Sequence, residues 1–170
     1  MNSKKNLVFL GMMGSGKSSI GHLISVKLNL KFFDIDNIIE KKAGMKIFDI
    51  FKNKGENYFR NLEEKTTMKV LKLNHGVISL GGGSFMNEKI RKEILKNNCS
   101  FWLDWESNTL IKRIKMSKKR PIAFNSTESE LRTLITKRSK IYSKAQFKIN
   151  CNNLTKTEIV SKILKIYELN

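Results

Sequence analysis

Short apolar runs alternate with amphipathic stretches along the whole chain. Five of these runs predict β-strands because they are rich in Val, Ile, Leu or Phe and end at turn or polar residues: NLVFLG, KFFDID, GVISLGGG, CSFWLDW and FKINC. The first of them, NLVFLG, is typical of a buried parallel strand. The stretches between them have apolar residues at roughly helical spacing, as at Ile20, Leu23, Ile24, Val26 and Leu28 within the helix predicted over 17–30. This alternation predicts a parallel sheet covered on both faces, in one three-layer α/β domain spanning 1–170.

Glycines mark the ends of two of the predicted helices. NIIEKKAG closes at Gly44, and KIFDIFKNKG closes at Gly55. A long amphipathic helix is predicted over 56–73. Residues 116–126 break the pattern with basic residues, small polar residues and the single proline of the chain.

The charge of the chain is unusual, because 33 Lys and Arg against 15 Asp and Glu give a formal net charge of +18. Such an excess favours anionic partners such as nucleotides, nucleic acids, acidic metabolites or anionic lipids. A lysine-rich surface that is simply solvated explains it equally well. Charge therefore leaves the class of partner open.

The cysteine and histidine content excludes several classes of site. Cys99 and Cys151 lie far apart without neighbouring Cys or His pairs, so neither a disulfide framework nor a zinc site is predicted. Cys99 is expected in the core, and His22 and His75 are expected to face solvent or to form ordinary hydrogen bonds. No apolar run is long enough for a signal peptide or a bilayer span, so we expect a cytoplasmic protein without a membrane partner.

A phosphate-binding loop is the most specific motif. Gly11, Gly16, Lys17 and Ser18 fit G-x-x-x-x-G-K-[ST], between a predicted strand and a predicted helix. Glycines let successive N–H groups point inward around phosphate oxygens, and the helix start adds its unpaired N–H groups. Lys17 is expected to reach the β- and γ-phosphates, and the Ser18 hydroxyl to bind Mg²⁺.

Two aspartates follow the second predicted strand. Asp34 and Asp36 lie two residues apart, so in an extended chain their side chains point the same way. One carboxylate would serve the Mg²⁺ shell and the other would face an acceptor hydroxyl. Alternatively, Asp36 is the N-cap of the helix that follows. Because ligands of open α/β sheets bind at the carboxyl ends of the strands, the aspartates and the phosphate loop are expected to converge there.

Arginines and a glycine triplet point to the second substrate. In a chain where lysine is the usual cation, Arg60 and Arg138 suggest bidentate binding of a carboxylate or phosphate, and Glu63 lies one helical turn from Arg60. Helix-surface ion pairs are the alternative for both arginines. Three consecutive glycines, 81–83, follow the third strand, which suggests close approach of a ligand to their N–H groups.

The basic segment KMSKKRPIAF resembles a lid that closes over phosphates, with Arg120 as the cation that enters the site. A solvated loop is the alternative.

Together and in this order, these segments resemble the shikimate kinases. The resemblance covers almost the whole chain through GMMGSGKSSIG, FFDIDNIIE, IFDIFKNKGENYFRNLE, VISLGGG, KKRPI and KRSKIY. It implies a nucleoside-monophosphate-kinase-like P-loop fold with a five-stranded parallel sheet in the order 2-3-1-4-5. It also implies Mg²⁺-dependent transfer of the ATP γ-phosphoryl group to the 3-hydroxyl of shikimate, within aromatic amino-acid biosynthesis, by a monomer.

The resemblance also implies roles for individual residues. The acceptor region, about 34–63, would include Asp36 at the reacting hydroxyl and Phe51 and Phe59 as pocket walls, although both rings also suit the core. Arg60 and Arg138 would hold the shikimate carboxylate. The ring hydroxyls would contact Gly81, Gly82 and Gly83, and Mg²⁺ would bind at Ser18 and Asp34. The implied ATP contacts are Gly14, Ser15, Gly16, Lys17, Ser18, Ser19, Arg113 and Arg120. The turn at Asn152 and Asn153 would lie beside the adenine.

Three departures from the family pattern concern the nucleotide side. His22 stands where arginine is usual, RPIAF lacks the common leucines after the proline, and NCNNLT lacks the usual proline and basic residues. Two other functions stay open from the residues alone. One is a related kinase such as a gluconate kinase, against which Arg60 and the glycine triplet argue. The other is a nucleic-acid-binding protein, for which no aromatic-basic stacking pattern is present.

Overall fold

A five-stranded sheet organises the chain. The computed structural model describes residues 5–116 and 126–169. The strands are β1 (Leu7–Leu10), β2 (Lys31–Asp34), β3 (Gly76–Ser79), β4 (Cys99–Asp104) and β5 (Phe147–Asn150). They pair in the order β2-β3-β1-β4-β5, and every pair is parallel. The predicted strand order and direction are confirmed.

Helices make the crossovers that parallel strands require. They are α1 (Lys17–Leu28), α2 (Ile35–Ala43), α3 (Ile47–Leu71), α4 (Glu88–Asn97), α5 (Ser107–Met116), α6 (Glu128–Tyr142) and α7 (Lys156–Glu168), with a 3₁₀ turn at Ser84–Met86. Arg120 and residues 117–125 of the lid predicted over 116–126 lie outside the described residues. Among the described residues, no helix combines the length and apolarity needed to cross a membrane.

The central strands β1 and β3 are buried, as their apolar runs predict, whereas the edge strands β2 and β5 are partly exposed. In β1, Val8 and Leu10 pack into the larger core cluster, whereas Leu7 and Phe9 pack on the opposite face. The second face is covered by α1 and α7, through residues such as Ile24. Alternate residues of one strand thus serve two cores, which explains why the strands read as continuous apolar runs.

One predicted helix boundary was wrong. Helix α1 ends at Leu28 rather than at residue 30, because Asn29 adopts a left-handed conformation with φ 51°. Leu23 and Val26 are 39% and 67% exposed, since only the stripe through Ile20 and Ile24 faces the sheet.

Cys99 packs against the core cluster on the second face of the sheet, but it is less buried than a core position. It lies half-buried at the first position of β4, whereas Cys151 is fully buried. Burial and the nearby Asp104 charge raise the pKa of the Cys151 thiol to about 12, so this thiol stays protonated at neutral pH. Both cysteines are free, and His22 and His75 are exposed, as predicted.

The predicted helix ends at Gly44 and Gly55 are confirmed. Gly44 caps α2 with φ 66°. Gly55, with φ 80° and ψ 168°, interrupts α3 with a backbone conformation that is essentially restricted to glycine. On an unbroken helix, Phe51 and Phe59 would lie about 12 Å apart along the axis. Their ring centroids are 4.6 Å apart, because the break folds the two halves of α3 toward each other.

The amino ends of the strands are joined by Asn6. Its side-chain amide donates to the Leu71 carbonyl at 3.2 Å and to Asn98 Oδ1 at 2.8 Å, and its Oδ1 accepts from the Gly76 N–H at 2.8 Å. Asn6 is 2% exposed. This buried network lies at the edge of the sheet opposite the carboxyl ends of the strands.

Candidate active site

The phosphate loop connects β1 to α1 at the carboxyl edge of the sheet. Gly11, Gly14 and Gly16 have φ of 139°, 78° and 90°, conformations that L side chains rarely adopt. The Lys17 side chain is buried, and its Nζ donates to the carbonyls of Gly11 and Met12, each at 2.9 Å. A buried lysine thus lies inside a loop whose backbone turns around it.

Ser18 and Asp34 converge through the sheet register. The Ser18 and Ser79 hydroxyls lie 3.4 Å apart, and Ser79 in β3 is the register partner of Asp34 in β2. A hydroxyl and a carboxylate are ligands that suit Mg²⁺. Within 5–116 and 126–169, no group of three or more His, Cys, Asp or Glu residues forms a metal site by itself. This pair therefore suits an ion that takes its remaining ligands from phosphates and water.

The two aspartates differ from their prediction in one respect. Strand β2 stops at Asp34, which is the N-cap of α2 and accepts from the Asn37 N–H at 3.1 Å. Asp36 lies in the first turn of α2, so the alternating geometry of an extended chain does not apply to the pair. The N-cap alternative for Asp36 was wrong, because the helix begins directly after the strand.

The glycine triplet lies between the predicted acceptor residues. A methyl group added to the Gly81 Cα would lie 2.7 Å from Glu63 Oε1 and 2.8 Å from Asp36 Oδ1. A methyl group on Gly83 would lie 2.6 Å from Arg60 Nη1. A side chain at either position would shift these terminal groups, so both glycines let the Glu63, Asp36 and Arg60 side chains approach the backbone closely.

Arg60 is held by two glutamates. Its Nη1 lies 2.8 Å from Glu63 Oε2, and its Nη2 lies 3.2 Å from Glu56 Oε1. Burial alone lowers the pKa of Arg60, but the charge and hydrogen bond of Glu63, with help from Glu56, raise that pKa above its usual value. Glu63 is itself only 2% exposed and accepts from the Ser84 hydroxyl at 2.6 Å. Arg60 is therefore oriented from the core by Glu63, and it also forms a helix-surface ion pair with the exposed Glu56.

Arg138 is buried on α6 and contacts the glycine triplet. Its Nη1 donates to the Gly82 carbonyl at 3.2 Å and contacts Met12 Sδ at 3.8 Å. Tyr142 also donates to the Gly82 carbonyl. Among the residues that the structure describes, no carboxylate lies within ion-pair distance of Arg138. A buried guanidinium without a carboxylate is suited to an anionic ligand.

Gly82 connects the phosphate loop to this acceptor side. A methyl group on Gly82 would lie 3.4 Å from the Met13 N–H nitrogen, 3.5 Å from Arg138 Nη1 and 3.9 Å from the Gly11 carbonyl oxygen. The phosphate loop, the triplet and Arg138 are thus in contact. The predicted convergence at the carboxyl edge of the sheet is present in the structure.

The two phenylalanines lie beside Arg60. The Arg60 Cζ is 5.9 Å from the Phe51 ring centroid and 5.1 Å from the Phe59 centroid. Phe59 is buried and Phe51 is half-buried against the larger core cluster. The core role of both rings is therefore confirmed, and their place beside Arg60 is compatible with the predicted role as pocket walls.

Arg113 lies on the other side of the phosphate loop. Its Nη1 donates to the Gly14 carbonyl at 3.4 Å, and its Cζ lies 3.8 Å from the centroid of the Trp105 ring. In the neighbouring turn, Asn152 accepts from the Glu106 N–H at 2.9 Å and Asn153 has φ 59°. Ser19 lies exposed in the first turn of α1.

Sequence reasoning missed three residues that contact this site: Ser84, Trp105 and Tyr142. Tyr142 lies four residues after Arg138, which places both on one face of α6 and was a usable signal. Trp105 directly follows β4, at the edge where the other functional segments end. Nothing in the sequence around Ser84 indicates its bond to Glu63.

The family model for shikimate kinase matches residues 13–168. The chain belongs to the shikimate kinase family. The sequence match to this kinase family therefore covers nearly the whole P-loop fold. A shikimate kinase from Sulfurihydrogenibium sp. is 41% identical over 160 residues, which cover 94% of this chain and 96% of the relative.

Solved structures agree with this assignment. A shikimate kinase from Acinetobacter baumannii in complex with shikimate superposes with a TM-score of 0.93 at 27% identity, covering 99% of this chain and 95% of that one. A gluconokinase from Sinorhizobium meliloti reaches a TM-score of 0.60 at 17% identity, with coverage of 99% and 94%. The gluconokinase shares the fold alone, so the comparisons do not favour the gluconate kinase alternative.

Proposed function

We propose that this chain transfers the γ-phosphoryl group of ATP to the 3-hydroxyl of shikimate, giving shikimate 3-phosphate and ADP. The observation that carries the proposal is the contact at Gly82 between the phosphate loop and the buried Arg138. A triphosphate bound in the loop would meet, across this glycine, a small acid whose carboxylate pairs with the guanidinium.

On the nucleotide side, the loop N–H groups of residues 14–19 surround the phosphates. Lys17 leaves the carbonyls of Gly11 and Met12 for the β- and γ-phosphates. Its present position inside the loop supports this role, because a phosphate oxygen there replaces two neutral acceptors with a charged one. Arg113 lies beside the adenine.

We propose that Mg²⁺ binds through the Ser18 hydroxyl, with Asp34 acting through a bound water. When present, the ion neutralises charge that develops on the phosphate oxygens. The support is the 3.4 Å contact of Ser18 with Ser79, the register partner of Asp34. Removal of divalent cations with a chelator should abolish turnover, and added Mg²⁺ should restore it.

On the acceptor side, Asp36 accepts a hydrogen bond from the reacting hydroxyl and thereby orients it. Arg60 and Arg138 hold the carboxylate, the Gly81–Gly83 N–H groups contact ring hydroxyls, and Phe51 and Phe59 form the wall. A small carboxylate that carries several hydroxyls matches two arginines and one aspartate. Transfer through a loose transition state depends mainly on such positioning and on charge neutralisation.

The remaining expectations complete the proposal. Arg120, outside the described residues, closes onto the phosphates from a lid over 116–126, and residues 1–170 act as one domain and as a monomer. We place the reaction in the cytoplasm, where ATP is available. No nucleic acid is needed for the activity.

A coupled assay of ADP release tests the proposal, with shikimate, gluconate and nucleoside monophosphates as separate acceptors. We expect turnover with shikimate and none above background with the others. Turnover on gluconate or on a nucleoside monophosphate, with none on shikimate, would reject the proposed function and leave the fold assignment intact.

A further inference from the structure

Trp105 is attached to the outside of the phosphate loop. It directly follows β4, is half-buried, and its indole Nε1 donates to the Ser15 carbonyl at 2.9 Å. The shikimate kinase motifs in the sequence do not include this residue. The hydrogen bond joins positions 90 residues apart and fixes a carbonyl in the middle of the loop.

Arg113 holds the preceding carbonyl from the same side. Its Cζ lies 3.8 Å from the Trp105 ring centroid, well within cation–π range, and its Nη1 donates to the Gly14 carbonyl at 3.4 Å. The Trp105 indole thus stacks on the Arg113 guanidinium, which donates to the Gly14 carbonyl. The same indole donates directly to the next carbonyl, that of Ser15. Two consecutive peptide groups are held by one stacked pair.

Because of peptide geometry, holding the Gly14 and Ser15 carbonyls outward points the N–H groups of the same peptide groups into the loop. The described peptide bonds are trans, so the C=O and N–H of one peptide group point in opposite directions. Holding the Gly14 carbonyl outward turns the Ser15 N–H inward, where it donates to the Met12 carbonyl at 3.2 Å. Holding the Ser15 carbonyl outward turns the Gly16 N–H inward in the same way. Inward N–H groups are what a phosphate loop uses to bind anions.

We propose that Trp105 is a positioning residue of the nucleotide site, which orients the Ser15–Gly16 peptide group and holds Arg113 against the loop. The inference rests on the proposed function only in taking a nucleoside di- or triphosphate as the ligand. Trp105 acts through backbone and Arg113, and it leaves the acceptor side unaffected. Its loss should therefore weaken nucleotide binding and spare shikimate binding.

Two variants separate the two contacts of the indole. Trp105→Phe keeps a ring beneath Arg113 but removes the N–H donor, and Trp105→Leu removes both. Calorimetric titration with ADP should show about fivefold weaker binding for Trp105→Phe, the effect of one lost hydrogen bond, and about tenfold or weaker for Trp105→Leu. Titration with shikimate should stay within about twofold of the parent, because no acceptor group changes.

Arg132→Gln is the matched control, since Arg132 is exposed on α6 and its bonds go to Glu128 and Asn108, neither of which belongs to the phosphate loop. It should leave ADP affinity unchanged. Parental ADP affinity in Trp105→Phe, or equal weakening toward ADP and shikimate, would overturn the proposal. ADP binding does not require turnover, so a parent that binds ADP but fails to phosphorylate shikimate would reject the proposed function alone.

A measurement on the unsubstituted chain covers the case in which both variants fail to fold. The chain has two tryptophans, so 5-fluorotryptophan labelling gives two ¹⁹F resonances. Trp102 is 5% exposed and Trp105 is half-buried, so Trp105 should have the larger solvent isotope shift. We expect that resonance to move on saturation with ADP and to stay in place with shikimate. A resonance that ignores ADP would refute the role.

Discussion

At the scale of single residues, the two acceptor-side arginines are held in different ways. Arg60 is half-buried and is oriented by Glu63 and Glu56, whereas Arg138 is buried and contacts the neutral Gly82 carbonyl. A substrate carboxylate would therefore share Arg60 with Glu56 and Glu63. At Arg138 the same carboxylate would be the anionic partner of the guanidinium. In the proposed acceptor role, the planar fork lets Arg60 serve Glu63 and the substrate together.

Arg60→Lys should impair shikimate binding selectively. Lysine keeps the charge but loses the fork, and a charge-assisted hydrogen bond contributes about 1.5–3 kcal/mol, so the KM for shikimate should rise roughly tenfold or more. The KM for ATP should stay within about twofold. Steady-state kinetics with each substrate varied in turn measures both values.

The matched control is Arg132→Lys, which changes an exposed arginine on α6 that pairs with Glu128. It should leave both KM values at the parental level. An unchanged KM for shikimate in Arg60→Lys would contradict the acceptor role of Arg60.

Residue types revealed most of these positions before their contacts were visible. Arginine among lysines and three consecutive glycines pointed to the acceptor side, because each is a poor choice without a close ligand or neighbour. Trp105 and Ser84 were not predicted, since their partners lie 90 and 21 residues away along the chain. A side-chain donor carries no sequence signal of the distant acceptor that it will find.

At the scale of elements, helix starts decide where the polar groups lie. The start of α2 at Ile35 makes Asp34 its cap and turns Asp36 toward Gly81. The hydrophobic pattern located β2 and α2 correctly but did not separate them at the right residue, because both Phe33 and Ile35 are apolar. The same limit explains Leu23 and Val26, which fit a helical spacing but not the side of α1 that faces the sheet.

The capping box of α7 should make stability depend on pH. The backbone N–H and hydroxyl of Thr155 each lie 2.7 Å from Glu158 Oε2, and these bonds lower the pKa of Glu158 below its ordinary 4.5. A carboxyl whose pKa is lowered on folding stabilises the folded state above its unfolded-state pKa. That stabilisation is lost as the pH falls through the lower folded-state value.

We therefore expect Glu158→Gln to unfold at lower urea concentration than the parent at neutral pH. The difference should shrink as the pH falls below 4.5, where the parent glutamate also becomes neutral. Glu168→Gln, at the other end of the same helix, should not lower stability. A difference between parent and Glu158→Gln that is the same at neutral and acid pH would refute the ionic contribution of the cap.

At the scale of the whole molecule, the two edges of the sheet have different contents. The carboxyl edge contains the phosphate loop, Asp36, the glycine triplet and Arg138. The amino edge contains the buried Asn6 network, which joins the segments before β1, β3 and β4. Substitutions at the amino edge should therefore change the free energy of unfolding, whereas substitutions at the carboxyl edge should change the kinetics.

Asn6→Ala should destabilise the protein without changing its kinetics. It leaves the buried Gly76 N–H and the Leu71 carbonyl without their partner, and each such loss costs about 1–3 kcal/mol. We expect the free energy of unfolding to fall by about 2–4 kcal/mol in urea titrations, with KM values unchanged at temperatures where the variant is folded. Asn97→Ala, which removes an exposed asparagine, should change stability by no more than about 0.5 kcal/mol. A parental unfolding midpoint for Asn6→Ala would disprove this role.

The sheet order at this scale was available only through the resemblance to shikimate kinases. Apolar runs establish that the strands are buried and parallel, but periodicity does not say which strands are neighbours. The contact between Arg138 and Met12 spans 126 residues, and no local pattern encodes it. The resemblance supplied that information because the motifs, taken together and in order, are typical of one known fold.

The interruption of α3 has a consequence for how variants of this enzyme are interpreted. Phe51 and Phe59 meet because the chain turns at Gly55, where a methyl group would encounter no atom within 4 Å and the constraint is therefore torsional. In the proposed acceptor pocket, the spacing of the two rings therefore depends on the backbone torsions of Gly55 as well as on the residues that line the pocket. We expect a substitution at Gly55 to change substrate selectivity, although ligand contacts alone would not identify this position.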